Sequence, residues 1–272
     1  MNIVDFSYGD NKLSDYGCMI ASINTSFSED IDLGSNLTFK TLQNKATKKH
    51  KILKADYDNC VSITFDICKN QCVANSEEFT DGEISYFMRW LNSKTYQKFK
   101  PIYEDEFYSD IYFYGTFDKI SAINIGKKTV GLTLSFISNS PFGYIDEKEF
   151  TVTTSQNDEH FVFYDDSDEI GFLYPNFFEI TCDEPGDFKL SNTLDSKSTV
   201  IHNCEKNEVI TMDCENKVIQ SSKSHLTLYN DFNYNFPRIV NTLEERKNVF
   251  TVSIPCTIRI KYSPIRKAGV LS

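Results

Sequence analysis

Apolar and polar residues alternate with a period of two along several segments of the chain. In Val61-Ser62-Ile63-Thr64-Phe65-Asp66-Ile67 every second residue is apolar, which predicts a strand with one buried face. Val130, Leu132, Leu134 and Phe136 repeat the pattern around Gly131, Thr133 and Ser135. Phe250, Val252 and Ile254 do so again, and Ile258, Ile260 and Tyr262 alternate with Thr257, Arg259 and Lys261. One segment switches to the helical period. Thr80 and Glu83 fit a capping box, and Phe79 with Ile84 fits a hydrophobic staple. Ile84, Phe87, Met88 and Leu91 then fall on one stripe, which predicts a helix over residues 80–96. Tyr86 and Trp90 lie off that stripe as a second apolar patch. Two readings fit the patch: a face that meets a neighbouring molecule, or a helix buried on both sides within one domain.

A boundary is expected near residues 145–158. Ser140-Pro141-Phe142-Gly143 ends a strand, and Asp146-Glu147-Lys148-Glu149 is a charged connector. Short strands with turn signals about every ten residues follow, the rhythm of a β-sandwich. Cys204-Glu205-Lys206-Asn207 and Cys214-Glu215-Asn216-Lys217 read as successive turns around a strand at Val209–Met212. The pattern therefore predicts a mainly β chain with one helix, divided into residues 1–145 and 146–272.

Composition narrows the function. The 272 residues include 22 Phe and 15 Tyr, enough to build real cores. The net charge of -11 argues against a phosphate backbone as the main ligand. No apolar run reaches membrane-spanning length, and the start of the chain lacks the basic and apolar regions of a signal peptide, so synthesis in a cytosol and no membrane insertion are expected. The eight cysteines contain no tight Cys-x2-Cys pair, so they read as free thiols filling core positions.

Reactive constellations are missing from the sequence. His50, His160, His202 and His225 have no metal-ligand spacing and read as surface or strand-edge residues. The acidic run Asp165–Glu169 fails the calcium-loop test: counted from Asp166, Gly171 falls at position six, but Phe177 stands where a Glu is needed. It reads as a solvated turn between two strands. There is no nucleophile elbow, P-loop or dinucleotide fingerprint. No catalytic residue, metal site or cofactor is expected, and the chain is read as no enzyme. The C-terminal strand and tail, Thr257–Ser272, are basic through Arg259, Lys261, Arg266 and Lys267, either to pair with acidic surface on a neighbouring subunit or as a solvated strand face.

These segments in this order resemble the phage distal tail (Dit) proteins. Phe6-Ser7-Tyr8-Gly9 and Leu13-Ser14-Asp15-Tyr16-Gly17-Cys18 resemble the family's first strand and its "D-Y-G" turn. The helix with Trp90-Leu91, the strand at Tyr112–Phe117 and the closing segment Ser140–Tyr144 resemble the rest of its N-terminal domain, with Ser140 replacing an acidic residue. Gly171–Pro175 with Phe177–Ile180, Glu208–Asp213, Asn235–Ile239 and Thr257–Lys267 resemble segments of its galectin-like sandwich. Asn241-Thr242-Leu243 stands where the family usually has "G-x-N".

The resemblance implies a tail-tube-like N-terminal β-sandwich with one helix, followed by a galectin-like β-sandwich. It implies a homohexameric ring at the tail tip or baseplate of a phage or phage-tail-like particle. That ring would join the tail tube protein to the tail-tip hub protein, and the C-terminal domains would anchor receptor-binding or other baseplate proteins. DNA would pass through its channel without specific binding. Tyr86, Trp90, Tyr112, Tyr114, Arg266 and Lys267 are the candidate subunit-interface residues. The alternative is a carbohydrate-binding module for host surface glycans, with Tyr229 and Tyr234 as platforms.

Overall fold

The computed structural model describes residues 3–21, 36–57, 59–74, 76–104, 110–223, 225 and 227–267. The chain divides into two compact units, Met1–Tyr144 with Arg266–Ser272, and Ile145–Ile265.

The first unit contains β1 (Ile3–Tyr8), β2 (Asn11–Lys12), β3 (Cys18–Ala21), β4 (Leu37–Gln43), β5 (His50–Tyr57) and β6 (Ser62–Lys69). Then come α1 (Asp81–Leu91), β7 (Gln97–Tyr103), β8 (Phe113–Ile125), β9 (Lys128–Ser138) and β10 (Gly143–Tyr144). Seven strands form one antiparallel sheet in the order β2-β1-β7-β8-β9-β6-β3. Period two holds in β6 and β9: Val61, Ile63, Phe65 and Ile67 are buried, as are Leu132, Leu134 and Phe136.

This sheet closes on itself. β1 and β6 lie four places apart in strand order, so a flat sheet would separate them by about 19 Å. Instead the rings of Phe6 and Phe65 are 5.5 Å apart. Phe99, Phe117 and Phe136 fill the space between, with Phe99 stacked 4.4 Å from Phe136. Register shifts in β1 and β8 supply local bends. Gly115 makes the tightest approach: a Cβ there would stand 2.3 Å from the Ile137 carbonyl oxygen and from the Phe136 ring. Only glycine lets Phe136 cross that point.

Helix α1 starts at the expected cap, with Thr80 and Glu83 bonding reciprocally. Phe79 is buried with its ring 5.9 Å from Phe87. The helix ends at Leu91, not at residue 96: Asn92 leaves helical geometry and its side chain donates to the Phe117 carbonyl. Its buried residues are Phe87, Trp90 and Leu91, while Met88 is 50% exposed. The inward face is therefore rotated relative to the predicted stripe. Trp90 stacks on Phe6 and donates its Nε1–H to the Tyr8 carbonyl at 3.1 Å. That buried hydrogen bond, with the large ring, pulls the helix round.

The second unit contains β11 (Lys148–Thr154), β12 (Glu159–Tyr164), β13 (Gly171–Leu173), β14 (Phe177–Cys182), β15 (Gly186–Asn192) and β16 (Ser198–Cys204). These are followed by β17 (Val209–Asp213), β18 (Val218–Ser221), the short α2 (Leu228–Asp231), β19 (Ile239–Asn241), β20 (Lys247–Val252) and β21 (Cys256–Tyr262). Five strands (β11-β21-β14-β17-β18) form one sheet and four (β12-β20-β15-β16) another. Their inward residues, among them Phe161, Phe178, Phe188, Ile210, Phe250 and Ile258, make one core. Ile254 is half-buried and lies beyond the end of β20. Cys182, Cys204, Cys214 and Cys256 are free thiols in that core, and Cys18 is a buried free thiol in the first unit. Cys60 and Cys68 are only partly buried and Cys72 is exposed.

Three polar expectations change. The run Asp165–Glu169 does join β12 to β13, but Asp165 and Ser167 are buried. Asn241, at the departure from the family pattern, donates its side-chain N–H to the Ser167 carbonyl. Arg259 and Lys261 find their acids within the unit, at Glu149 and Glu147. His225 is no surface residue. Its Nδ1 lies 2.8 Å from Glu208 and its Nε2 3.1 Å from Asp231, with the Glu208 side chain fully buried.

Burial alone would lower the His225 pKa, but the hydrogen bonds to Glu208 and Asp231 outweigh it and hold it above 6.5. Burial alone would raise Glu208, but hydrogen bonds from Ser221, the Glu205 N–H and His225 keep it below 4.5. The His225 contribution is thus complete below pH 6.5 and lost as pH rises through the folded value. That of Glu208 is complete above pH 4.5 and lost as pH falls through its lower folded value. Comparison of wild type with His225→Gln in thermal melts should show the largest gap in Tm between these limits, shrinking in mildly alkaline buffer. A gap constant with pH would contradict the assignment. Trp90→Ala should cost about 3–5 kcal/mol in urea unfolding of the isolated chain, by loss of a core ring.

Candidate functional site

One uncovered feature of the first unit is the β4–β5 hairpin, which stands as its own two-stranded sheet. Nearly every residue in it is exposed, including Leu37, Phe39, Leu42, Ile52 and Leu53. Register puts Leu37 and Phe39 on the same face as their partners Tyr57 and Ala55. Tyr57 anchors its base, with its ring 4.7 Å from Phe142. An isolated two-stranded ribbon is marginal in water and gains its stability from whatever covers it. Its charge is also out of character. From Leu37 to Tyr57 there are six lysines against one acid, Asp56, in a chain of net charge -11. Nothing in the alternation pattern singled this segment out; the signal available was the lysine cluster flanked by Leu42, Ile52 and Leu53.

A second uncovered surface is the outer face of α1, where Ile84 and Met88 lie among Asp81, Ser85, Arg89 and Asn92 in a shallow groove. Asp81 makes no ion pair among the described residues. This is part of the stripe that the sequence assigned to the core.

The six predicted interface residues do not converge on one surface. Trp90 is 9% exposed and belongs to the core, which corrects its reading as an outward patch. Tyr86 is half-buried, and its hydroxyl lies 2.6 Å from that of Tyr16. That hydrogen bond is the main reason the Tyr16 pKa is pushed up to about 12. Tyr112 is buried beneath the Lys98 ammonium, 3.9 Å above its ring, so it too faces inward. Tyr114 is exposed beside Tyr112 and Tyr144. Arg266 is half-buried and Lys267 exposed, and the tail beyond Lys267 lies outside the described residues, as do Phe107, Tyr108 and Ser109 of the aromatic segment. Apart from the lone Tyr16–Tyr86 pair, these residues form no arrangement that moves protons. Among the described residues no cluster of three His, Cys, Asp or Glu is placed to hold a metal ion, and no helix is long and apolar enough to cross a membrane. The exposed chemistry is apolar and basic contact surface, suited to assembly.

Two family models together match most of the chain. Residues 1–140 match the family described as phage tail protein N-terminal domain, and residues 142–262 match the phage tail C-terminal domain. No curated protein matches in sequence. Among solved structures, the chain is similar to the SPP1 Dit (gp 19.1) protein, described as a paradigm of hub adsorption apparatus in Gram-positive infecting phages. The TM-score is 0.64 at 11% identity, over 96% of this chain and 99% of that one. A chain of the phage P2 baseplate in its activated conformation with Ca aligns at TM-score 0.48 and 13% identity, over 99% of this chain and 100% of that one. The two family matches follow one another along the sequence, and the chain belongs to the phage tail proteins, with the fold of the distal tail protein Dit.

Proposed function

We propose that this chain forms a six-membered ring at the phage tail tip. The ring joins the tail tube to the hub, and the second units anchor receptor-binding or other baseplate proteins. It is assembled in the host cytoplasm from copies made there. Its role is structural and needs no catalytic group or cofactor. DNA passes through the channel without specific binding, in keeping with the negative charge of the chain.

The β4–β5 hairpin is the observation that carries this reading. A closed ring needs a patch on each copy that fits a different patch on the next. The hairpin presents apolar side chains and lysines, and the rest of the chain is acidic. Another copy of the same chain supplies matching chemistry: the outer face of α1 offers Ile84 and Met88 beside Asp81, which has no ion-pair partner among the described residues. Tyr114, Arg266 and Lys267 remain candidates for the edge of that contact.

The paired substitution Phe39→Glu with Leu53→Glu tests the proposal. Both residues are exposed, at 53% and 61%, so thermal stability of the monomer should stay within about 0.5 kcal/mol. Light scattering coupled to gel filtration should read six chain masses for the wild type and one for the variant. Met88→Glu should act in the same direction. A ring that survives both changes removes the hairpin from the interface.

A further inference from the structure

We infer that the second unit carries a binding pocket for an anionic saccharide, a sugar ring bearing a phosphate or carboxylate group. This goes beyond the ring assignment and does not depend on it. The pocket is a concavity of about 100 Å³, with Tyr174, Phe236 and Tyr234 as aromatic walls and Lys197, Lys217 and Arg238 as its cations.

The charges in it are not equivalent. Arg238 is spent: its Nε and Nη2 both bond to the Asp195 carboxylate, the second at 2.7 Å, and its guanidinium lies 3.7 Å over the Phe172 ring. That pair is mostly buried and forms a rigid, neutral base. Lys217 is held differently. Its ammonium sits 3.0 Å above the Tyr174 ring and 5.2 Å from Phe236, with no carboxylate within ion-pair distance among the described residues. Lys197 has no ion-pair partner among them either. Two ammonium groups without a direct ion pair among the described residues therefore share one concavity on a chain of net charge -11.

The aromatic platform is built in advance. Tyr234 is 64% exposed yet has a φ of 59°, the left-handed region that bulky residues avoid. Such a conformation persists only where its surroundings impose it. Here the preceding Asn233 does so: its side chain donates to the Ser198 carbonyl at 2.8 Å and accepts from the N–H groups of Val200 and Asn235. A sugar ring can lay its C–H face on the tyrosine while the two ammonium groups take the anion. A neutral sugar has no use for the lysines, and a bare anion has no use for the rings.

The test is calorimetric titration of the full chain with glucose 1-phosphate, glucuronate, glucose and inorganic phosphate, at low and high salt. One or both acidic sugars should bind at least about tenfold more tightly than glucose and inorganic phosphate, and more weakly in salt. The stronger arm identifies phosphate or carboxylate as the anion. Lys197→Ala combined with Lys217→Asn should reduce that affinity about tenfold or more, as should Tyr234→Asn. Lys217, with a φ of 60°, shares the left-handed backbone of Tyr234, and Asn tolerates it at both positions, so unchanged melting temperatures verify the fold. No binding of either acidic sugar, equal binding of glucose or inorganic phosphate, or full affinity in the variants each overturns the proposal. The oligomeric mass decides the ring reading separately, so the two can fail independently.

Discussion

The closure of the seven-stranded sheet around Phe6 is the constraint on which the first unit rests. Four strand spacings must be folded up to bring Phe6 within 5.5 Å of Phe65. The curl costs backbone regularity, visible as register shifts in β1 and β8, and it demands a glycine where Phe136 crosses β8. What offsets that cost is the burial of five phenylalanine rings, each removing a large apolar area from water. Helix α1 is then positioned by the same cluster, since Trp90 stacks on Phe6 and bonds to the Tyr8 carbonyl.

A core closed in this way leaves the β4–β5 hairpin exposed, outside the seven-stranded sheet. Its base is tied down by Tyr57 on Phe142. Leucines and a phenylalanine exposed on a lysine-rich ribbon are unfavourable for a chain that stays alone. In the proposed ring, neighbouring copies would cover them. The same logic applies to Ile84 and Met88: once Trp90 occupies the core, those two are turned outward.

Much of this was legible in the sequence where one local rule acted alone. Period two located β6, β9 and β21, and the Thr80–Glu83 box fixed the start of α1 to the residue. Reading failed where a distant partner decided. The helical stripe put Ile84 and Met88 inside because hydropathy ranks them above Trp90, and it could not register that an indole N–H would find the Tyr8 carbonyl 82 residues away. The early stop at Leu91 depends on Asn92 meeting Phe117. His225 looked like a surface residue because its partners, Glu208 and Asp231, are brought to it by the turn after β18 and by α2. The hairpin escaped because its apolar residues break strict alternation at a bulge between Lys40 and Thr41.

Charge pairing in the second unit sharpens the meaning of the charges left over. Arg259 and Lys261 are answered by Glu149, Lys148 by Asp166, Arg238 by Asp195 and His225 by Glu208. The exposed pairs at Arg259, Lys261 and Lys148 add little stability, but all of these pairs remove their cations from the set available to a partner. The basic C-terminal strand, conspicuous in the sequence, is therefore mostly self-satisfied. Among the cations left over are most of the hairpin lysines, although Lys54 pairs with Asp56, and the Lys197–Lys217 pair, and each group is set beside exposed apolar or aromatic surface. Cations held against apolar surface and not against carboxylates keep their charge for something outside the chain. In an acidic protein the proposed contacts rest on this distribution and not on the total charge.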